Sequence, residues 1–500
     1  MNTFMNALEA QYNYKFTENG AIAHRTSGSK VYDMFAFGGA YRKRDDSDCI
    51  VLFKNAYEED PDLAMKCLFY LRDCRGGQGE RRFFRVCYKW LAKNKPAAAI
   101  KNLKYVPEMG RWDDLLCLIN TPIENEVGDL IQTQLELDME DTIAGKGISL
   151  LAKWLPSENA HAKETKEKAR WLINYLNITP RAYRKTLSCL REHIKVLEKL
   201  MSANRWDEID FSKIPSKAGL IYRNAFARRD MIAEKYRAFA MSKETKVNAD
   251  TLYPYEIVEK VIQKRGPGWI ANKWHTVFAG TEVEREMLNK YWENQKDYLN
   301  GEPVSMMCVV DTSGSMHGRP LAVACSLGLY CAERMGGDFS GKYISFSRNP
   351  RLVNCEGYDF VDKVLRIYDT NLCENTDLTA VFDMLLNVAR QKHVKSEDIP
   401  KTICVISDME IDYMSNWNKD SAVTEMERVR ERWERAGLEL PRLVYWNVDA
   451  RHDTILDLGP DVSLVSGCSP VIFEQVLTGK QGFDLMLEVL LKDRYRAIRG

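Results

Sequence analysis

Apolar residues follow two different spacings along the chain. Between about residues 58 and 300 they recur at intervals of three and four, which is the spacing of one face of an α-helix. The first two sets with this spacing are Ala64, Cys67, Leu68, Leu71 and Phe84, Cys87, Tyr88, Leu91. Further helical stretches with brief connections follow them, so this part of the chain predicts an array of α-helical repeats.

From about residue 300 the pattern changes to short, continuous apolar runs that alternate with helical stretches. The runs are VSMMCVV, KYISF, KTICVIS and PRLVYWNV, and the helical stretches begin near Leu321, Leu378 and Ala422. Unbroken apolar strands separated by helices indicate a mainly parallel sheet that is covered on both faces. We therefore predict a doubly wound, Rossmann-like α/β domain.

These patterns predict an α plus α/β protein with three segments. Residues 1–55 include the glycine-containing stretch AFGGAYRKRDDSD, which indicates an exposed arm or loop. Residues 56–300 form the predicted helical-repeat domain, and residues 301–500 form the predicted α/β domain. A chain of 500 residues is too long for one ordinary core, which agrees with several domains.

Charge is distributed unevenly along the chain, although the formal net charge is zero. Residues 301–500 carry 23 Lys and Arg against 30 Asp and Glu, whereas residues 151–250 carry 21 against 12. Two surfaces with different partners are therefore expected.

Composition also indicates the cellular setting. No apolar run approaches the length of a membrane span, so no membrane partner is expected. The 13 cysteines form no CxxC pair, which favours free thiols in a reducing cytoplasm.

Oxygen-bearing side chains follow the first predicted strand and recur at two later loops. Asp311, Ser313 and Ser315 lie in CVVDTSGSMHG, while ENTDL supplies Thr376 and VISDMEID supplies Asp408. Ligands of doubly wound sheets bind at the carboxyl ends of strands, where these loops are expected. Such hard oxygen donors suit Mg²⁺, Mn²⁺ or Ca²⁺ and do not suit zinc.

Other interpretations of DTSGSM remain open. Serine and aspartate also favour plain turns and helix N-caps. A catalytic serine is less well supported, because no G-x-S-x-G motif surrounds Ser313 or Ser315 and His317 is the nearest base. A hydrolase that uses the metal as a Lewis acid would also need a general base, so we expect a binding protein and not an enzyme.

The order Asp-x-Ser-x-Ser, loop Thr, later Asp resembles the metal-ion-dependent adhesion site (MIDAS) of a von Willebrand factor A (vWA) domain. The resemblance implies direct coordination by Ser313, Ser315 and often Thr376, with Asp311 and Asp408 commonly acting through water. It also implies one open coordination position for an acidic group of a protein partner.

The layout of the whole chain resembles the Ro autoantigen (TROVE-module) proteins, in which HEAT-like helical repeats precede a vWA domain and bind RNA. The stretches YLRDCRGGQGERRFF, VPEMGRWDDLL and SDMEID are similar to an uncharacterised Ro-like family of vWA proteins. This resemblance implies a ribonucleoprotein component that binds structured non-coding RNA through its helical domain.

A basic helix face is the candidate RNA surface. In TPRAYRKTLSCLREHIKVLEKL, Thr179 is the expected N-cap, and an apolar stripe lies opposite a basic one. The predicted RNA-binding residues are Arg181, Arg184, Lys185, Arg191, Lys195 and Lys199. Such a ridge neutralises several phosphates, but it also fits a solvated helix face on a scaffold that binds proteins only.

Three further features each have a structural and a functional interpretation. RGGQG (75–79) lacks the Lys-Ser/Thr of a P-loop, so a tight turn between helices is predicted. Trp112 and Trp206 are able to stack on bases, although tryptophans of helical arrays more often lie in the core. The acids near the metal loops are expected to repel a polyanion; they are Glu374, Asp377, Glu410 and Asp412.

Overall fold

The computed structural model describes residues 12–270, 273–346, 349–370, 377–412 and 424–500. The chain divides into two compact units. The sheet unit contains Met1–Asp60 and Lys246–Lys492, and the helical unit contains Pro61–Thr245 and Asp493–Gly500. This division differs from the predicted bounds at 55 and 300, because residues 246–300 and the N-terminal segment both join the sheet.

The sheet unit begins with strands β1 (Tyr14–Phe16) and β2 (Ile22–His24), followed by helices α1 (Lys30–Phe37) and α2 (Asp46–Glu59). The prediction of an exposed arm is wrong for α1 and the turn after it, whose side chains from Val31 to Tyr41 are buried. Gly39 explains the error. A Cβ there would lie 2.6 Å from the Ser466 carbonyl oxygen, so the glycine permits a close backbone approach and not a loose loop.

The helical unit contains eleven α-helices and several short 3₁₀ turns within its described residues. The helices are α3 (Pro61–Arg72), α4 (Arg81–Asn94), α5 (Pro96–Asn102), α6 (Val106–Met109), α7 (Glu124–Ile143), α8 (Leu151–Trp154), α9 (Lys163–Tyr175), α10 (Pro180–His193), α11 (Leu197–Ser202), α12 (Ser216–Arg228) and α13 (Asp230–Met241). All eight apolar residues that predicted α3 and α4 are buried. The prediction of a helical region is therefore confirmed.

The RGGQG segment connects α3 to α4 by a tight turn. The Gln78 backbone N–H donates to the Tyr70 carbonyl oxygen at 3.1 Å. A Cβ on Gly77 would lie 2.0 Å from that same oxygen, and Gly79 has a φ of 66°. Both glycines are needed for the turn, because other residues would clash or be strained there.

The last residues of the chain pack within the helical unit. Asp73, which is fully buried, accepts hydrogen bonds from Arg494 at 2.8 Å and from the Tyr495 hydroxyl at 3.0 Å. The Asn102 side chain donates to the Arg499 carbonyl oxygen and accepts from the Arg499 N–H. These bonds attach the end of the chain to α3 and α5.

The sheet unit resumes with α14 (Pro254–Ile262), the antiparallel strands β3 (Arg265–Ile270) and β4 (Lys273–Phe278), and α15 (Glu282–Glu293). The remaining elements follow in chain order: β5 (Met306–Asp311), α16 (Arg319–Arg334), β6 (Lys342–Phe346), β7 (Arg351–Asn354), α17 (Phe360–Thr370), α18 (Leu378–Lys392), β8 (Thr402–Ser407), α19 (Glu425–Arg435), β9 (Arg442–Asn447), β10 (Val462–Ser466), α20 (Val471–Val476) and α21 (Gly482–Leu490). Because α14 packs against α16 and β4 packs against α17, this segment belongs with the sheet.

Six strands form the central sheet in the order β10-β9-β8-β5-β6-β7. All neighbouring pairs are parallel except β6 and β7 at one edge. This is a doubly wound order whose direction reverses between β5 and β8. The predicted α plus α/β class is confirmed at this level.

The cysteines in the described part of the chain are free thiols. Among the described helices, none combines the length and the apolar character that crossing a bilayer requires.

Replacing Arg494 by alanine should destabilise the helical unit. The substitution leaves the buried Asp73 carboxylate without its cation, so we expect the free energy of unfolding to fall by about 2 kcal/mol. This is less than the loss expected for a fully buried ion pair, because Arg494 is 34% exposed. Urea denaturation followed by circular dichroism would measure it. Arg496→Ala, an exposed neighbour, is the control; equal stability of the two variants would contradict this account.

Candidate functional site

Four of the five predicted metal ligands lie within the described residues, whereas Thr376 lies outside them. Asp311 ends β5, and Ser313 and Ser315 lie in the turn that follows. Asp408 comes directly after β8, the parallel neighbour of β5. The carboxyl ends of these strands therefore meet at the point where the sheet reverses its winding.

Hydrogen bonds and close approaches connect these residues. The Asp311 carboxylate accepts from the Ser313 N–H at 2.9 Å and from the Ser407 hydroxyl at 2.5 Å. The Ser313 and Ser315 hydroxyl oxygens are 3.1 Å apart, and the proximity of Ser315 lowers the pKa of Asp408 in part. The structure thus brings Asp311, Ser313, Ser315 and Asp408 into one cluster, and it adds Ser407, which the motif did not include.

Burial and repulsion set the electrostatics of the cluster. Asp311 and Asp408 are both fully buried. Burial, followed by the nearby charge of Asp408, raises the pKa of Asp311 to about 7, although its hydrogen bonds to Ser407 and Ser313 oppose this. Burial also raises the pKa of Asp408, and the charge of Arg451 opposes that shift. Two neighbouring buried carboxylates are unfavourable without a positive charge.

Arg451 supplies such a charge. Its Nη2 donates to Asp408 at 2.8 Å, and its Nη1 lies 2.9 Å from the Glu18 carboxylate. The sequence motif gives no signal for Arg451, because it lies on the loop after β9, outside the three motif segments. Arg451 thus brings one positive charge to the site, and Asp408 shares it with Glu18.

The donor set fits a hard cation only in part. Two carboxylates and two hydroxyls are the oxygen ligands that Mg²⁺ and Mn²⁺ accept. In the described part of the chain, no group of three or more His, Cys, Asp or Glu side chains is placed to hold a metal ion. The predicted ligand set contains only two acids, and its other donors are hydroxyls.

Two of the acids around the site have structural roles, as Glu410 shows. This residue is fully buried, and it accepts from the Thr454 hydroxyl at 2.8 Å and from the Glu18 N–H at 2.6 Å. Asp377 caps α18 by accepting from the Ala380 N–H. Glu374 lies outside the described residues.

The predicted basic helix begins as expected but ends early. The Thr179 hydroxyl accepts from the Ala182 N–H, as an N-cap does. The prediction of one helix to Leu200 is wrong, because α10 ends at His193 and Lys195 adopts a left-handed φ of 50°. Lys199 therefore belongs to α11, and the basic stripe does not continue along one helix.

Three of the six predicted RNA-binding residues contact other protein groups. Arg191 donates to the carbonyl oxygens of Ala152 and Leu155 at 2.8 Å, and burial lowers its pKa. Arg184 forms an ion pair with Glu158 and Lys199 forms one with Glu192. The other three side chains are exposed: Arg181, Lys185 and Lys195.

The two tryptophans of the repeated RWD sequence differ in their surroundings. Trp206 is buried, with the Arg229 guanidinium 5.1 Å from its ring centroid, as expected for a core residue. Trp112 is half-buried at the start of a 3₁₀ turn.

The chain has a doubly wound sheet with hydroxyls and carboxylates at its switch point, and it also has an all-helical unit. It is therefore an α plus α/β protein of two units. The family model described as Domain of unknown function (DUF2828) matches residues 17–136 and 158–301. A second model, Domain of unknown function (DUF7788), matches residues 305–494. The first covers more than half of the chain, so this protein belongs to the DUF2828 family.

One relative and one solved structure extend the comparison. The chain is 29% identical over 525 residues to Uncharacterized protein L728 of Acanthamoeba polyphaga mimivirus, covering 96% of this chain and 87% of that protein. It is also similar to the crystal structure of the Deinococcus radiodurans Ro (RSR) protein, with a TM-score of 0.33 and 11% identity. That alignment covers 95% of this chain and 100% of the Ro chain. With a TM-score this low, the Ro resemblance rests on the layout of the chain and on the sequence stretches.

Replacing Arg451 by alanine should destabilise the sheet unit by about 3 kcal/mol, because Asp408 is then left buried without its cation. The free energy of unfolding measured in urea would show the loss. Arg435→Ala is the matched control, since its ion pair with Glu431 is exposed and contributes less than about 0.5 kcal/mol. If both variants unfold at the same urea concentration, Arg451 does not stabilise Asp408.

Proposed function

We propose that this protein is a non-enzymatic binding protein in which the helical unit binds structured RNA and the sheet unit recruits a protein through a divalent metal. The opposite charge of the two units carries this proposal. The helical unit has 36 Lys and Arg against 25 Asp and Glu, and the sheet unit has 35 against 46. A polyanion is attracted to the first and repelled by the second.

The proposed metal site is of the vWA type, with Mg²⁺ as the first candidate ion and Mn²⁺ or Ca²⁺ as others. Asp311, Ser313, Ser315 and Asp408 would hold it, together with Thr376 from the sequence motif. The clustering of hard oxygen donors at the sheet's switch point supports this assignment. When bound, the ion supplies an open coordination position for a carboxylate of the partner.

Arg451 adds one positive charge beside the site, which Asp408 and Glu18 share. Asp311 and Asp408 together only balance the charge of a divalent ion, so the ion would keep its attraction for a further anion. A single carboxylate from a partner would complete the coordination of that ion.

A metal-dependent hydrolase is the alternative from another class. Arg451 donates a 2.8 Å hydrogen bond to Asp408, although burial still raises the pKa of this carboxyl overall. Turnover by the purified protein that is lost in Asp311→Ala would favour the hydrolase.

The metal assignment predicts a stability difference. Wild-type protein should melt at a higher temperature in millimolar Mg²⁺ or Mn²⁺ than in chelator, because an ion present at 100 times its Kd adds about 2.7 kcal/mol. Asp311→Asn should lose this increase, measured by differential scanning fluorimetry. Asp484→Asn, an exposed acid of the same unit, should retain it. An unchanged wild-type melting temperature in both conditions would refute the metal site.

The RNA assignment predicts a loss of affinity that does not depend on base sequence. Reversing the exposed Arg181 and Lys185 to glutamate should weaken binding of a structured RNA at physiological salt, since contacts to phosphates carry little base information. Fluorescence anisotropy at several salt concentrations would measure it. Lys480→Glu, an exposed residue of the sheet unit, is the control. A wild-type affinity that is absent or independent of salt would favour the protein-only scaffold.

A further inference from the structure

Strand β7 forms one edge of the central sheet, and half of its backbone groups face away from the sheet. β7 pairs antiparallel with β6 on one side, and within the described residues no strand pairs with its other side. The Cys355 N–H donates to the Gly341 carbonyl oxygen at 2.8 Å, which continues this ladder. Because bonded and non-bonded positions alternate in an antiparallel pair, the N–H and C=O groups of Leu352 and Asn354 point away from β6.

These outward-facing groups are accessible. Leu352 is 58% exposed, and Asn354 is exposed as well. Unpaired N–H and C=O groups on an edge strand are where another chain adds as a further strand. Proteins commonly block such an edge with a lysine or a proline in the strand. β7 has the sequence RLVN, which contains neither, and its one charged residue, Arg351, lies at the amino end.

A cavity of about 430 Å³ opens at the carboxyl end of β7. It is lined by residues at the ends of α15 and α16 and at the start of α17, together with Cys355 and Glu356, which directly follow β7. Glu356 lies two residues after Asn354, so a strand that pairs with β7 brings one of its side chains to this cavity.

Four acids line the cavity, and two of them are available to a cation. The four are Glu293, Glu333, Glu356 and Asp359. Glu333 is paired with Lys363 at 2.6 Å. Asp359 is paired with Arg285 at 2.7 Å. Glu356 lies 4.0 Å from Lys342, and Glu293 forms no ion pair among the described residues. Arg366 does not line the cavity, and its guanidinium carbon lies 4.1 Å from the centroid of the Tyr358 ring.

The backbone at Gly341 makes room for the Glu356 side chain. A Cβ on Gly341 would lie 2.8 Å from Glu356 Oε1 and 3.1 Å from its Cγ. Gly341 also has a φ of 74°, where glycine is favoured over other residues. The Glu356 carboxylate therefore lies against the start of β6, at the wall of the cavity.

We propose that the free edge of β7 binds an extended segment of a partner protein, which adds as an antiparallel strand and places a lysine or arginine in the acidic cavity. The backbone groups of Leu352 and Asn354 bind the main chain of that segment. Glu293 and Glu356 select its basic side chain, and they repel a nucleic acid. This surface takes a cation, whereas the proposed metal site takes an acidic group, so it depends on neither the metal nor the RNA.

A short peptide tests this surface in the full-length protein. The probe is fluorescein-labelled Lys-Thr-Val-Thr-Val-Thr with an amidated carboxyl end, and fluorescence anisotropy measures its binding. In the antiparallel register its lysine lies opposite Glu356 and its valines lie opposite Asn354 and Leu352. A second peptide with glutamate in place of the lysine should bind about fivefold more weakly or less, because the same acids repel it.

The backbone contact is tested at Leu352. Leu352→Pro removes an N–H that the ladder with β6 does not use, and it should weaken binding of the lysine peptide by about tenfold or more. Leu352→Thr retains the N–H and should bind like wild type. Leu352→Lys also retains every backbone bond, and its charge should weaken binding by repelling the probe. Thermal melting shows which variants are folded, and the lysine variant keeps the test valid if the proline variant is not.

The charge contact is tested in the cavity. Glu293→Gln with Glu356→Gln should weaken binding of the lysine peptide by about fivefold and should abolish its advantage over the glutamate peptide. Glu434→Gln, which changes an exposed acid on α19 of the same unit, is the control and should bind both peptides like wild type.

Several results would overturn the proposal. Wild-type protein that does not bind the lysine peptide, or that binds both peptides equally, excludes it. Folded Leu352→Pro and Leu352→Lys variants with wild-type affinity would show that the edge of β7 is not used. An equal loss in Glu434→Gln would show a general charge effect and not selection by the cavity. None of these results bears on the metal site or on RNA binding, because the probe contains neither group.

Discussion

The parallel pairing of β5 with β8 is the constraint on which the candidate site depends. Residues from Met306 to Val310 pair with residues from Thr402 to Ile406, and both strands are buried throughout. This register fixes Asp311 and Asp408 at the same edge, in a place that water does not reach. Isolated charges in such a place cost several kcal/mol each, so the surrounding groups have to supply hydrogen bonds and positive charge.

Distant segments meet that requirement. Ser407 and the Ser313 N–H bind Asp311, while Arg451 reaches Asp408 from the loop after β9. Arg451 is in turn paired with Glu18 of the N-terminal segment, whose N–H also binds Glu410. The N-terminal segment therefore belongs to the sheet unit for an electrostatic reason as well as through the packing of α1 against β10.

The sequence predicted elements whose signals are local. The three- and four-residue spacing located α3 and α4, and continuous apolar runs located β5, β6, β8 and β9. The unit boundaries, α1 and the edge strand β7 depend on packing between distant segments, which one sequence does not show. The role of Arg451 and the early end of α10 are not predicted either. A lone arginine in a loop has no distinctive sequence pattern, and neither does the left-handed conformation of Lys195. The motif acids were found because their spacing relative to strand ends is itself a local signal.

Charge explains how one chain distinguishes two kinds of anion in the proposed function. The acidic excess of the sheet unit acts over about the Debye length of 8 Å, so it opposes a ligand that brings many phosphates near. Under this proposal a single carboxylate would meet less of this repulsion and would gain a direct bond to the ion. The helical unit should prefer the polyanion. Its Arg191, Arg184 and Lys199 bind other protein groups, so the excess positive charge remains at exposed side chains. Several phosphates along one nucleic-acid strand are able to contact such scattered charges at the same time, whereas one carboxylate contacts only one of them. The number of contacts therefore distinguishes the two ligands.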